Sequence, residues 1–271
     1  SNISKLIIYI INTVLAFIIL WPILHALSVS LMAPSQVFEY PPRVIPSPIY
    51  LHNYVKAFKT APIHLFILNS LIMSFSITLG QLITTSLAAF AFVFIPFKRK
   101  ELLFMIVLSI LMIPTQTTIV ANYLIVSSIG WTDSYKALII PYLTSAFGVF
   151  ALRQSFLSLP KELHEAAIID GCSNFRFLTS IVIPLSKPAL GSLGIYTFIN
   201  AWNMYLWPLL ITNTDTLRTV QIGIGMLLSE EVQSMGAIMA GIIMVLVPSI
   251  LAFVLGQEQL VEGLTAGAVK S

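Results

Sequence analysis

Six long apolar stretches, separated by short polar connections, decide what this 271-residue chain can fold into. They run roughly over Leu6–Leu31, Leu65–Ile95, Leu102–Ile125, Leu138–Leu157, Leu178–Ile211 and Gly236–Leu255. Each supplies the ~20 apolar residues that a membrane-spanning helix needs. A bilayer core offers no water to unpaired backbone groups, so each stretch must pair its own N–H and C=O groups as a helix. A transmembrane barrel would need segments of alternating polarity, and these runs do not alternate. Only 9% of the residues are charged, against roughly 25% in a soluble domain. A water-facing surface cannot be built from so few charges. The expected fold is all-α, a six-span transmembrane bundle forming a single domain over residues 1–271. Pro22, Pro114, Pro141, Pro208 and Pro248 fall inside the spans. Each removes a backbone donor, which predicts bends or short breaks.

Basic residues orient the bundle. With the N-terminus inside, the inner segments hold Lys5, the cluster Lys98-Arg99-Lys100, Arg153, Lys161, Arg176, Lys187 and Lys270. The outer segments hold Arg43, Lys56, Lys59, Lys136 and Arg218. Nine against five, with the densest cluster in the shortest loop, places both termini in the cytoplasm. The net charge of +3 is small and scattered, which argues against a nucleic-acid partner and leaves membrane lipid as the surrounding medium. Cys172 is the single cysteine, so an internal disulfide is impossible. The sequence begins at Ser1 rather than Met, which leaves room for a longer N-terminus. Leu6–Leu31 exceeds a signal-peptide apolar core and is expected to be a retained span. The outer segment from Met32 to His64, with six prolines, is expected to be an extended, surface-hugging loop. Asn213–Gln233 is expected to hold a short interfacial helix.

The connection from Ser158 to Phe177 concentrates charge in a chain that otherwise has little. Pro160 suits a helix start, and Glu162 and Glu165 favour the positive end of its dipole. Leu163, Ala166, Ala167 and Asp170 follow at helical spacing, so small side chains are expected to share a face. Gly171 can end that helix in the left-handed conformation, and Ser173 can cap a second short helix. The product is a helix–Gly–helix elbow that another protein could approach closely. Physics alone leaves an ordinary amphipathic interface loop equally open.

Glu165-Ala166-Ala167, three residues, Gly171, nine residues, then Ile181-Val182-Ile183-Pro184 resembles the EAA loop of permease subunits in bacterial ATP-binding-cassette importers. Ile183 stands where that family usually has Leu. Leu159-Pro160 and Pro184-Leu185-Ser186-Lys187-Pro188 are similar to its carbohydrate-uptake branch. Leu68-Asn69-Ser70, Phe75–Gly80 and the segment Trp202-Asn203-Met204-Tyr205-Leu206-Trp207-Pro208 resemble the second permease subunit of sn-glycerol-3-phosphate importers. Gly263–Lys270 is similar to the tail of sugar permeases. The resemblance implies a type I importer permease of the bacterial inner membrane, not an enzyme, with its coupling loop at about 158–184. It implies that Glu165, Ala166, Ala167, Asp170 and Gly171 dock on the ATP-binding subunit. It also implies a second homologous permease subunit, a dimer of ATP-binding subunits and an extracytoplasmic solute-binding protein. ATP and Mg would belong to the ATP-binding subunit, with no cofactor in this chain.

The chain has no Gly-x-x-x-x-Gly-Lys-Ser/Thr phosphate loop and no Gly-x-Ser-x-Gly elbow. His164-Glu165 begins like a zinc-protease helix, but Ile168 stands where the second histidine is required, so no metal site is expected. The spans contain essentially no acidic residues or lysines, which counts against a proton-coupled carrier. Neutral polar residues are present instead, among them Asn69, Gln81, Gln116, Asn200 and Asn203. Most such groups join helices, and a minority line a path. Trp202, Tyr205 and Trp207 read either as an interfacial aromatic belt or, with Asn203 and Gln116, as a substrate path. Helical spacing puts Asn203 and Trp207 on one face, but not Asn203 with Tyr205. The expected solute is sn-glycerol-3-phosphate or a related glycerophosphodiester. A neutral oligosaccharide, and an ion-coupled secondary carrier, are the alternatives.

Overall fold

The computed structural model describes residues 2–229 and 235–266. Gln233 and the tail residues from Gly267 to Lys270 lie outside the described residues. The first apolar stretch is α1 (Asn2–Ser30), an unbroken helix. Two short helices, α2 (Pro34–Val37) and α3 (His52–Thr60), lie in the proline-rich segment that follows. The second stretch is α4 (Ile63–Phe94). The third divides into α5 (Lys100–Ile110) and α6 (Thr115–Ser128), bent by 95°. The fourth divides into α7 (Tyr135–Ile139), extended by a 3-10 turn over Ile140–Tyr142, and α8 (Ala146–Leu157), bent by 43°. The charged connection forms α9 (Lys161–Ile169) and α10 (Asn174–Phe177). Next come a π-helical turn over Leu178–Val182, α11 (Ile183–Leu185) and, after an 82° bend at Ser186, α12 (Lys187–Trp202). Then follow α13 (Leu206–Ile211), α14 (Val220–Ser229) and α15 (Met235–Ala266). Three helices and three bent pairs thus account for six apolar spans.

Proline chemistry explains where the spans break. A proline cannot donate to the carbonyl four residues earlier, and its ring crowds that carbonyl. Pro114 therefore fits the end of α5 at Ile110, and Pro208 fits the break across Asn203–Tyr205, where Met204 lies four residues before it. Pro188 follows the bend at Ser186 in the same way. Pro22 and Pro248 behave otherwise: α1 and α15 continue through them without interruption.

By packing, the chain forms two compact units. The first comprises residues up to Ile67 together with Val220–Pro248. Its organising side chain is Asn53 on α3, buried, whose Nδ2 donates to the carbonyls of Ser30 (2.9 Å) and Met32 (2.7 Å) at the end of α1. Tyr54 meets Ser30 Oγ at 2.9 Å, and Tyr50 N–H donates to Leu31 at 2.8 Å. The loop expected to be extended is thus folded back around α3. Its prolines spare His52–Thr60, which buries Asn53 and Ala57 one turn apart. Gly236 lies against Asn53 so closely that a Cβ there would sit 2.3 Å from Nδ2.

The second unit comprises Leu68–Thr219 and the residues from Ser249. It holds two apolar clusters on successive parts of α4. Met73 and Ile77 pack with Val126, Ala137, Leu138, Ala201, Trp207 and Ile211. Ala89 and Phe90 pack with Leu152, Phe156, Ala167, Phe177, Leu178, Val182 and Leu193. In the turn before α7, Asp133 adopts φ 57° and ties down the segment after α13. Its Oδ1 accepts from Asn213 N–H (2.9 Å), Thr214 N–H (3.1 Å) and the Thr214 hydroxyl (3.1 Å). Asn69 holds the same segment further on, donating to the carbonyls of Thr216 and Arg218 at 2.8 and 2.9 Å.

Pro141 cannot donate to Ala137 C=O, and the indole N–H of Trp207 takes that fully buried carbonyl at 3.0 Å. Trp207→Phe should therefore leave it unpaired, at a cost of about 1–3 kcal/mol. The measurement is the thermal midpoint of the purified protein in detergent. Pro141→Ala supplies an N–H, so adding it to Trp207→Phe should recover part of the loss, and a double variant no more stable than Trp207→Phe would count against this account. Acid offers a second test. Burial pushes the Asp133 carboxyl up, but the Asn213 and Thr214 hydrogen bonds and the Arg218 charge outweigh it and hold the carboxyl below its ordinary value. Its contribution is present above the ordinary carboxylate value and is lost as pH falls through the lowered one. Asp133→Ala should be less stable than wild type at neutral pH, and the difference should shrink at the acid end of a stability titration.

Candidate functional site

The elbow has the geometry that its residues dictate. α9 ends at Ile169, Asp170 is its C-cap, and Gly171 adopts φ +69°. Gly171 N–H donates to Ile168 C=O at 3.0 Å and Cys172 N–H to Ala167 C=O at 2.9 Å. These are the two bonds of a Schellman turn, and Cys172 packs on the cluster that contains Ala167, as that turn favours. Ser173 Oγ then accepts from Arg176 N–H at 3.3 Å and starts α10. Three rings clamp the elbow: His164 packs at a tilt, its ring centroid 5.1 Å from that of Phe94 and 4.9 Å from that of Phe177, and Phe94 meets Phe177 edge-on at 5.2 Å.

The two alanines do not share an outer face. Ala166 is exposed, but Ala167 is buried against α4, α8 and α10, so only the former is accessible from outside. Successive helical residues lie ~100° apart, and the inward direction is set by Ala167 with Phe177. Glu165, Asp170 and Gly171 are exposed beside Ala166. The sequence reading missed Ile169 and Phe175, which are 85% and 68% exposed on the same elbow. Large apolar side chains among charges at a loop tip were the available signal.

The aromatic residues expected to line a path are mostly core. Trp202 and Trp207 are each 1% exposed. Trp207 sits edge-on to Tyr142 at 5.7 Å, and Trp202 stacks on Phe198 at 5.9 Å with its N–H unpaired among the described residues. Neither belongs to an interfacial belt or a ledge. Asn203 is the exposed C-cap of α12, and Tyr205 is 44% exposed beyond it. The helix stops between Asn203 and Trp207, so the four-residue spacing does not bring them to one face. Gln116 is exposed in the first turn of α6 and joins none of these residues.

Instead, a cavity of about 150 Å³ with a mixed lining, polar groups set among Ile77, Ala201 and Met204, opens between α4, α12 and the break in the fourth span. Gln81, Tyr142, Ser145, Tyr196 and Asn200 line it, and none of its lining residues is charged. Gln81 bridges its walls: Nε2 donates to Tyr142 C=O at 2.9 Å, and Oε1 accepts from the buried Thr197 hydroxyl at 3.1 Å. Thr84 donates to Leu143 C=O at 2.7 Å. The broken backbone is thereby satisfied by α4. Sequence reading singled out Gln81 and Asn200 as polar residues in apolar runs, but spacing could not show that they converge.

Comparison with known proteins places this architecture. The family described as "Binding-protein-dependent transport system inner membrane component" matches residues 81–257. The sn-glycerol-3-phosphate transport system permease protein UgpE of Yersinia enterocolitica is 35% identical over 255 residues, covering 91% of each chain. The protein of the same name from Salmonella typhimurium is 37% identical over the same length and coverage. A crystal structure of a bacterial ABC transporter involved in the import of the acidic polysaccharide alginate superposes with a TM-score of 0.83. It shares 20% identity and covers 95% of this chain and 96% of its own, a likeness of fold. The family match spans well over half the chain and the relatives match nearly end to end, so this chain belongs to the binding-protein-dependent transport system inner membrane components.

Proposed function

We propose that this chain is the permease subunit of an ATP-driven importer and forms half of the translocation path for sn-glycerol-3-phosphate or a related glycerophosphodiester. The observation that carries the reading is its near end-to-end likeness to permeases of sn-glycerol-3-phosphate transport systems. A second, homologous permease completes the path, and a solute-binding protein delivers the solute from outside. A dimer of ATP-binding subunits, holding ATP and Mg, docks on the cytoplasmic side, where both termini lie. The elbow is the docking element. Exposed Ala166, Ile169 and Phe175 offer apolar contact, while Glu165 and Asp170 offer charge.

The elbow's packing supports a mechanical role. Ala167 and Phe177 share one cluster with Phe90 of α4 and with Leu152 and Phe156 of α8. A displacement imposed on Ile169 and Phe175 by closing ATP-binding subunits therefore moves those helices too, because close-packed cores transmit strain. A neutral oligosaccharide is the second reading, favoured by the uncharged lining of the cavity. An anion within a membrane is ordinarily met by arginine, lysine or helix N-termini. In the proposed importer the binding protein supplies most of the affinity, and this subunit offers a neutral polar path.

Two measurements test this reading. Ile169→Glu and Phe175→Glu alter exposed side chains, so the chain should still fold while co-purification of the ATP-binding subunit and ATP-driven uptake fall. At Gly171 an added Cβ meets nothing within 4 Å, so only its φ is demanding. Gly171→Asn should then retain coupling better than Gly171→Val, whose left-handed backbone costs about 1–2 kcal/mol. Normal coupling in all three disruptive variants would remove the elbow from the interface. For the solute, the intact complex in proteoliposomes should take up glycerol-3-phosphate in an ATP-dependent, vanadate-sensitive manner after ion gradients are collapsed. Uptake of a neutral disaccharide without glycerol-3-phosphate would favour the second reading.

A further inference from the structure

The geometry points to the cavity between α4 and α12 as the place where this subunit recognises the glyceryl hydroxyls of its solute, with Tyr196 and Asn200 as the contacting side chains. This rests on the glycerol-3-phosphate reading and assigns a site that neither sequence spacing nor family likeness supplies.

Four observations converge on it. First, two broken helices meet here. The Tyr142–Ser145 break in the fourth span and the Asn200–Met204 end of α12 both line the cavity. Non-helical backbone at membrane depth is tolerated where protein buries it or where it borders water. Second, the cavity lies beside Gln81, close to the middle of α4 and far from either end of that span. Third, its back wall is fixed. Gln81 is held from two sides by Tyr142 C=O and Thr197, and the Tyr142 ring rests on Trp207, itself anchored to Ala137 C=O. Gln81 and Trp207 are therefore positioning residues. Fourth, the front is open: Tyr196 and Asn200 stand one turn apart on α12, and both are exposed. Asn200 Nδ2 gives one hydrogen to Tyr196 C=O at 2.8 Å, and a side-chain amide still has an acceptor oxygen and a second N–H to offer.

Charge and polar groups select the ligand class. The cavity, about 150 Å³ and open on one side, admits a three-carbon polyol. The lining sets hydroxyl, phenol and amide groups among Ile77, Ala201 and Met204 without a cation, so it matches the hydroxyls and carbon skeleton of a small polyol and leaves the phosphate on the open side.

The test uses the intact complex in proteoliposomes, with glycerol-3-phosphate and its analogue lacking the central hydroxyl, 3-hydroxypropyl phosphate. Wild type should prefer glycerol-3-phosphate, seen as a lower KM. Tyr196→Phe and Asn200→Ala should each erode that preference by roughly two- to tenfold, the range for one uncharged hydrogen bond. A merely structural defect would slow both solutes alike. An unchanged preference in both variants, with wild-type uptake intact, would overturn the site and leave the substrate reading standing. Failure of the wild-type complex to import glycerol-3-phosphate would instead sink the substrate reading. A second arm does not depend on the solute's identity. In a Cys172→Ser background, Asn200→Cys should react with a small charged methanethiosulfonate reagent, and saturating transported solute should slow that reaction. No reaction, or a rate indifferent to every transported solute, would also overturn the site.

Discussion

A main-chain carbonyl that loses its helical partner inside a membrane has no water to turn to, and much of the second unit is arranged around that constraint. Pro141 frees Ala137 C=O, which Trp207 takes from a segment seventy residues away in sequence. The bend that follows exposes the carbonyls of Tyr142 and Leu143, which Gln81 and Thr84 take from α4. At the end of α4, Lys100 Nζ reaches back to Val93 C=O at 2.9 Å and Ile95 C=O at 3.3 Å, as a cation suits a helix C-terminus. The Trp207, Gln81 and Thr84 repairs join elements distant in sequence, so the groups that satisfy the breaks also hold the bundle together.

This explains why parts of the molecule were legible in its sequence and parts were not. The six apolar stretches are visible because a bilayer imposes length and polarity on each span separately. The elbow is visible because Pro160, Gly171 and Ser173 each carry a local backbone instruction, and Gly171 at φ +69° obeys it. Its orientation was hidden. Ala166 and Ala167 are equivalent as letters, and only Phe94, Phe177 and Cys172 decide that Ala167 turns inward. Trp202 and Trp207 mislead for a related reason. An indole near a span's end suits an interface as well as a core, and only the unpaired carbonyl of Ala137 settles Trp207 into the core. The proposed pairing of Asn203 with Trp207 assumed an uninterrupted helix, whereas Pro208 crowds Met204 and breaks it. Likewise α3 was hidden by its proline-rich neighbours, although Asn53 and Ala57 carry the spacing of a buried face.

The elbow and the cavity are joined through α4 and the helices packed on it. Phe90 and Phe94 meet the elbow, and Gln81 meets the cavity about two and a half to three and a half turns earlier on the same helix. Gly80 and Gly148 make this stretch tight, since a Cβ on Gly80 would lie 2.3 Å from Leu143 and one on Gly148 would lie 2.8 Å from Thr85. Such contacts leave little room for α4 to slide independently of the fourth span. A push on α9 is therefore carried to the Tyr142–Ser145 break as a shift of packed helices, without a flexible link to absorb it.

The neutral lining then has a physical logic. Fixed positive charges at membrane depth would deepen the well for a phosphate ester, and release from a deep well is slow. Hydroxyl-directed contacts of roughly 1 kcal/mol each are strong enough to orient a solute and weak enough to break at every cycle. If glycerol-3-phosphate is the solute and the proposed site takes its glyceryl group, the open, exposed side at Tyr196 and Asn200 would let the phosphate remain hydrated. Selectivity for the anion can then reside in the delivering protein, and selectivity for the polyol in the membrane subunit. Such a division keeps each contribution below the strength that would trap the solute.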